Sequence, residues 1–180
     1  MGNFDTSKVK NISLMFNGCK NIESIELSSW NTINVIDMNS VFSGDILLRK
    51  INVSNWNTKN VIYMDRMFSD TFLLNSLDSS KWNTAKVVKM DGMFSECYGL
   101  SYLNLTNWNT KNVKSMSYMF FGINNLKRLD LTSFDTNSKC NKFSNMFLYY
   151  SRRITVIANS TIAANMIKAI KDMVYIEEVA

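Results

Sequence analysis

The sequence predicts a single-domain α/β repeat solenoid, with a parallel sheet on one face, short helices or 3-10 segments on the other, and a C-terminal capping helix. Three observations carry this expectation. An aromatic residue followed by Asn or Asp and then Thr returns every 26 residues, at Phe4-Asp5-Thr6, Trp30-Asn31-Thr32, Trp56-Asn57-Thr58, Trp82-Asn83-Thr84, Trp108-Asn109-Thr110 and Phe134-Asp135-Thr136. The same step relates Met15-Phe16, Val41-Phe42, Met67-Phe68, Met93-Phe94 and Met119-Phe120, and Met146-Phe147 follows one residue late, which places an insertion within 136–140. A third set recurs as Ile22, Leu48, Leu74, Leu100 and Leu126, joined by Ile25, Ile51, Leu77, Leu103 and Leu129, and by Leu27, Val53, Ser79, Leu105 and Leu131. A fixed period of this length is the signature of stacked repeats, none of which buries its apolar side alone.

Each element of the repeat follows from its local spacing. Val87, Met90, Met93 and Phe94 stand at i, i+3, i+6 and i+7, which predicts a short one-sided helix. Asn83 and Thr84 precede it as N-cap residues, and Gly18, Gly44 and Gly122 fall where a left-handed C-cap would sit; Asp70 and Glu96 take that place in two other repeats. The run Leu100-Ser101-Tyr102-Leu103-Asn104-Leu105 alternates at its end and matches the strand segment of leucine-rich repeats. Stacked strands at about 4.8 Å per coil would build one parallel sheet roughly 30 Å long. The four tryptophans would form a buried ladder, each covering on the order of 200 Å². The Asn31, Asn57, Asn83 and Asn109 column would satisfy backbone groups at a turn or bond neighbouring coils, and the methionine column would pack the core. Past Phe147, Ile154–Ile157 reads as a last strand. Ser160 or Thr161 then caps a helix from Ile162 to Met173, with Ile162, Met166, Ala169, Ile170 and Met173 on one face. The domain therefore divides into repeats over 1–158 and a capping helix and tail over 159–180.

Composition narrows the function. The chain has 180 residues, 46% hydrophobic and 19% charged, which suits a folded domain. It contains no histidine, so the commonest general base and the commonest metal ligand are missing. Asp, Glu, Lys, Ser and Cys are present, but none forms a nucleophile–base group outside the repeating columns. No enzyme, cofactor or metal is therefore expected. A net charge of +5 is dispersed along the chain and not gathered into a nucleic-acid footprint. No stretch reaches the roughly 18 apolar residues of a membrane span, and the start lacks the apolar run of an export signal. Phe4 enters in mid-register, which reads as a fragment of a longer protein. Cys19 and Cys97 lie three coils apart, about 14 Å at the strand spacing, and Cys140 replaces a valine of the lattice, so no disulfide framework is implied.

The unit W-N-T-x-x-V-x-x-M-x-x-M-F followed by L-x-x-L-x-L, as in Trp82-Asn83-Thr84 through Met93-Phe94 to Leu103-Asn104-Leu105, resembles the 26-residue bacterial surface-protein repeat of the BspA-like leucine-rich-repeat family. The resemblance runs from residue 4 to about 157. Val41, Ser79 and the insertion in the sixth repeat depart from the pattern. The resemblance implies a non-catalytic module at the cell surface or outside the cell, adhering to a host or matrix protein or glycan.

Binding information belongs in columns that stacking leaves free. On the strand face these are Ser24, Lys50, Ser76, Tyr102 and Arg128, and beside them Glu26, Asn52, Asp78, Asn104 and Asp130. On the helix face Tyr63, Arg66 and Tyr118 stand out. Tyr and Arg are favoured at binding hot spots, so Tyr102, Lys127 and Arg128, with Lys50, Tyr63, Arg66 and Tyr118, form the candidate contact surface. The competing expectation is a structural scaffold or self-associating spacer without a specific ligand. The chain is expected to be a monomer or a weak end-to-end dimer, and a dimer through the coil around Phe4 would favour the spacer.

Overall fold

The computed structural model describes residues 4–134, 140, 145–148, 154–159 and 174–179. Successive repeats lie on one another in parallel and in register. Residue columns are linked by the bridges Asn11↔Asp37, Asp37↔Tyr63, Tyr63↔Lys89 and Lys89↔Ser115. The strands are β1 (Ser24–Glu26), β2 (Lys50–Asn52), β3 (Ser76–Leu77), β4 (Tyr102–Leu103), β5 (Arg128–Asp130), β6 (Ile154–Asn159) and β7 (Val174–Val179). Ser24 pairs with Lys50 and Ser76 with Tyr102, both 26 residues apart, whereas Arg128 pairs with Thr155, 27 apart. The ladder has absorbed the extra residue between Phe134, which still stacks on Trp108, and Met146, which accepts the Phe120 N–H.

The α/β expectation is overturned. Among the described residues there is no α-helix and no 3-10 helix, and the strands form three small parallel sheets, β1-β2, β3-β4 and β5-β6-β7, in place of one continuous sheet. The expected helix face is a chain of turns. Leu14, Ser40, Arg66, Gly92 and Tyr118 occupy one column of left-handed residues, and Gly18, Gly44, Asp70, Glu96 and Gly122 a second, with φ between 52° and 78°. A right-handed helix cannot contain such a residue every fourth position. Between them the N–H groups alternate in destination. Ser40, Phe42 and Gly44 donate to Asp65, Met67 and Ser69 of the next coil, while Ser43 and Asp45 donate back to Ser40 and Phe42 within their own. A helix would consume all of these donors internally, and the stack instead spends half of them between coils. The i, i+3, i+6, i+7 spacing serves both arrangements, because a run of turns also returns the chain to one side every three or four residues. The predicted capping helix at 162–173 lies outside the described residues. The strand predicted at 154–157 is present within β6, and β7 beyond it was not foreseen.

Within the left-handed column Gly92 is the residue without strain, and a Cβ there would meet Arg66 Cγ at 3.4 Å and Ser95 Cβ at 3.8 Å, ordinary contacts. Gly92→Ala should therefore cost about 1–2 kcal/mol through backbone conformation alone. Urea denaturation should show that loss with an unchanged slope.

The aromatic-Asn-Thr triplet has one job for each member. Three of the four tryptophans expected in a buried ladder, Trp56, Trp82 and Trp108, are buried, while Trp30 is half-buried; ring centroids lie 6.2 Å apart for Trp82 and Trp108 and 6.4 Å for Trp30 and Trp56. Asn31, Asn57, Asn83 and Asn109 each accept, through Oδ1, the N–H two residues on, fixing the turn. The buried Thr32, Thr58 and Thr84 hydroxyls each accept the N–H of the next coil's Asn and donate to its carbonyl. Phe16, Phe42, Phe68, Phe94, Phe120 and Phe147 form a second ladder, with neighbouring centroids 5.3–6.0 Å apart.

Candidate binding surface

Because the coils repeat, a surface position is defined by its column, and the columns differ in how far the backbone constrains them. Glu26, Asn52, Asp78, Asn104 and Asp130, read above as free to vary, are turn caps: each accepts the N–H of the residue two positions on. Hydrogen bonds from Ser28 hold the Glu26 carboxyl below its usual range, with a further one from Asn52, and those from Ser80 do the same for Asp78. Only side chains able to accept at that distance suit the column, which explains its Asp, Asn and Glu composition. The neighbouring column, Ser24, Lys50, Ser76, Tyr102 and Arg128, is exposed throughout and carries no such duty.

The proposed contact residues are all exposed, and the structure sorts them into separate places. Tyr102, Lys127 and Arg128 converge on one open groove of about 660 Å³, together with Ser101, Asn104 and Asp130. The groove lies where β4 and β5 face each other without pairing. Tyr102 is 59% exposed there. Arg128 Nη1 meets Glu177 Oε2 at 3.3 Å in an exposed ion pair, a contact of modest energy. Lys50 lines a separate, smaller groove of about 300 Å³ over the paired β1 and β2, with Ser24, Glu26 and Asn52. Arg66 and Tyr118 lie on the turn side around a depression of about 360 Å³ whose other charged residues are Asp70, Asp91 and Glu96. Both hold left-handed backbone positions, so their column is constrained by geometry as well as by any ligand, and neither stands on a helix. Tyr63 belongs to the bridge column, away from the three grooves.

One buried acid was not read from the sequence. Asp45 is 1% exposed and accepts the Cys19 N–H at 2.7 Å, and burial pushes its carboxyl up to about 7. Its column holds Cys19, Thr71, Cys97 and Ile123, so no sequence pattern marks it as carrying an acid. The coil around Phe4, expected from the sequence as a possible end-to-end contact, contributes Phe4, Val9, Ile12, Met15 and Phe16, with Trp30, to an almost wholly apolar hollow of about 400 Å³. Phe72 and Tyr98, in adjacent coils, stack at 5.2 Å, and the Tyr98 hydroxyl donates to Glu96, which pushes its pKa up to about 12. The Cys97 thiol is buried, donates to the Phe68 carbonyl, and is pushed up to about 12 by desolvation; it is a packing group and not a reactive one.

Among the described residues no group of three or more Cys, Asp and Glu is placed to hold a metal ion, and no helix is long and apolar enough to cross a membrane. These features define a protein of stacked, turn-rich coils with an exposed groove on its strand side. The chain belongs to the family described as Mycoplasma protein of unknown function, DUF285, whose pattern matches residues 1–101 and again 74–176. No curated protein and no solved structure matches it.

Proposed function

We propose that the chain is a non-catalytic binding module of a cell surface, an adhesion element whose strand side presents a host or matrix protein or glycan with an extended contact face. The observation that carries this reading is the convergence of Tyr102, Lys127 and Arg128 on one open groove, over a backbone that the coil-to-coil hydrogen bonds hold in place. Tyr and Arg combine large contact area with versatile bonding, which suits them to recognition. Many of the oxygens that might do chemistry are already committed: the Asn, Asp and Glu columns cap turns and the Thr column ties coils together. The BspA-like resemblance, which implies an extracellular setting, supports the same reading.

The test is biolayer interferometry of the chain against a panel of purified matrix proteins and oligosaccharides. Wild type should bind at least one panel member, and the triple variant Tyr102→Ala/Lys127→Ala/Arg128→Ala should lose at least tenfold in affinity while its melting temperature moves little, because all three side chains are exposed. Undiminished binding by the triple variant would remove the groove from the account.

A second reading, a self-associating spacer, is favoured by the apolar hollow around Phe4, Met15 and Trp30. On that reading light scattering should show mass rising with concentration, and Phe4→Asp should abolish the rise. A constant monomer mass would exclude it.

A further inference from the structure

Resting on the binding reading above, we infer that the groove between β4 and β5 takes a carboxylate-bearing oligosaccharide. The groove's geometry first excludes an added peptide strand. β4 and β5 leave their facing edges unpaired, yet the same two coils are held together just past the strands by Ser133 Oγ donating to the Leu105 carbonyl at 3.0 Å and by the Trp108–Phe134 stack at 6.5 Å. A third strand between them would need roughly twice the 4.8 Å strand spacing. The occupant must therefore lie over the groove and engage side chains. Those side chains comprise one exposed aromatic face, Tyr102, with the Ser101 hydroxyl beside it as an acceptor, its proton being donated to the Asn75 carbonyl, and the Asn104 Nδ2 as a donor, its Oδ1 being taken by the Thr106 N–H and hydroxyl. A pyranose ring presents the matching chemistry, an apolar C–H face over an aromatic ring and a rim of hydroxyls.

Charge selects among saccharides. Lys127 has no ion-pair partner among the described residues, and Arg128 shares only one of its nitrogens with Glu177. The acid on the same rim, Asp130, has Oδ1 occupied by the Thr132 N–H and hydroxyl. A uronate carboxylate can thus meet Lys127 and the open side of the Arg128 guanidinium, which suits planar, two-point recognition of a carboxylate. The volume of about 660 Å³ lies within the range of small-ligand sites.

The test titrates the ¹⁵N-labelled chain with a hyaluronan tetrasaccharide, and in parallel with neutral chitotetraose. The uronate-bearing sugar should shift amide signals clustered in 101–106 and 125–130 and bind at least tenfold more tightly than the neutral one. Tyr102→Ala and Lys127→Ala should each weaken it at least tenfold with the remaining spectrum unchanged, which shows that they stay folded. No binding, shifts elsewhere, unaffected variants, or equal binding of chitotetraose would each overturn the inference. If no saccharide binds but a matrix protein of the panel binds and is lost in the triple variant, this inference falls and the binding reading stands. If nothing on the panel binds, both fall.

Discussion

Phe94→Ala should be the most damaging single substitution in the chain, destabilising it by about 3–5 kcal/mol. Phe94 is fully buried and lies between Phe68 at 5.8 Å and Phe120 at 6.0 Å, with Trp108 at 6.2 Å beside it. Truncation removes the transfer free energy of a phenyl ring, leaves a cavity between two coils, and breaks two stacked pairs, each contributing about 0.5–1.5 kcal/mol. Relief by collapse is blocked, because Phe94 N–H and Glu96 N–H are bonded to Met119 and Phe121 of the next coil and hold the coil spacing. Chemical denaturation should register the loss. The comparable change at the open end, Phe16→Ala, should cost less, since Phe16 is half-exposed and has an aromatic neighbour on one side of the stack only. Equal costs at the two positions would contradict the stacked-core account.

Asp45→Asn should stabilise the protein at neutral and alkaline pH and leave it almost unchanged near pH 4. Burial raises the Asp45 carboxyl from 3.8 to about 7, so between those values the folded state binds more protons than the unfolded state. Stability contributed by this group is then greatest in acid and falls as pH rises toward 7, reaching a loss of roughly 2–4 kcal/mol once the buried carboxyl is charged. Asparagine keeps an oxygen to accept the Cys19 N–H and carries no charge to desolvate. Melting temperatures from pH 4 to 8 should therefore decline more steeply in the wild type than in Asp45→Asn. Parallel curves would show that Asp45 ionises in the folded protein as an ordinary exposed carboxyl does.

The 26-residue register, the two aromatic ladders and the extra residue in the sixth repeat are legible in the sequence, because each is a statement about which side chains must stack, and stacking leaves a period. The helix was misread for a physical reason. Val87, Met90, Met93 and Phe94 recur at helical spacing, yet the decisive residues are the left-handed ones, and glycine marks only some of them: Arg66, Asp70, Glu96 and Tyr118 adopt the same conformation with full side chains. No side-chain preference announces a left-handed arginine or tyrosine, since the lattice of inter-coil bonds imposes it. The turn-capping role of Glu26, Asp78 and Asn104 was hidden likewise, because an acceptor column looks the same in sequence as a variable polar surface. Of the candidate site, the exposure of its residues is legible in the spacing. The strip Tyr102, Lys127 and Arg128 is legible too, but its separation from Lys50, Arg66 and Tyr118 is not, nor is the groove it lines, which depends on β4 and β5 failing to pair where β1 and β2 do.

The central claim, that the expected helix face is a stack of turns bonded between coils, is tested most directly by through-hydrogen-bond NMR couplings on the deuterated chain. The account predicts couplings from the Ser40, Phe42 and Gly44 amides to the Asp65, Met67 and Ser69 carbonyls, 25 residues ahead. Couplings from these amides to carbonyls four residues behind would restore the helix and contradict it.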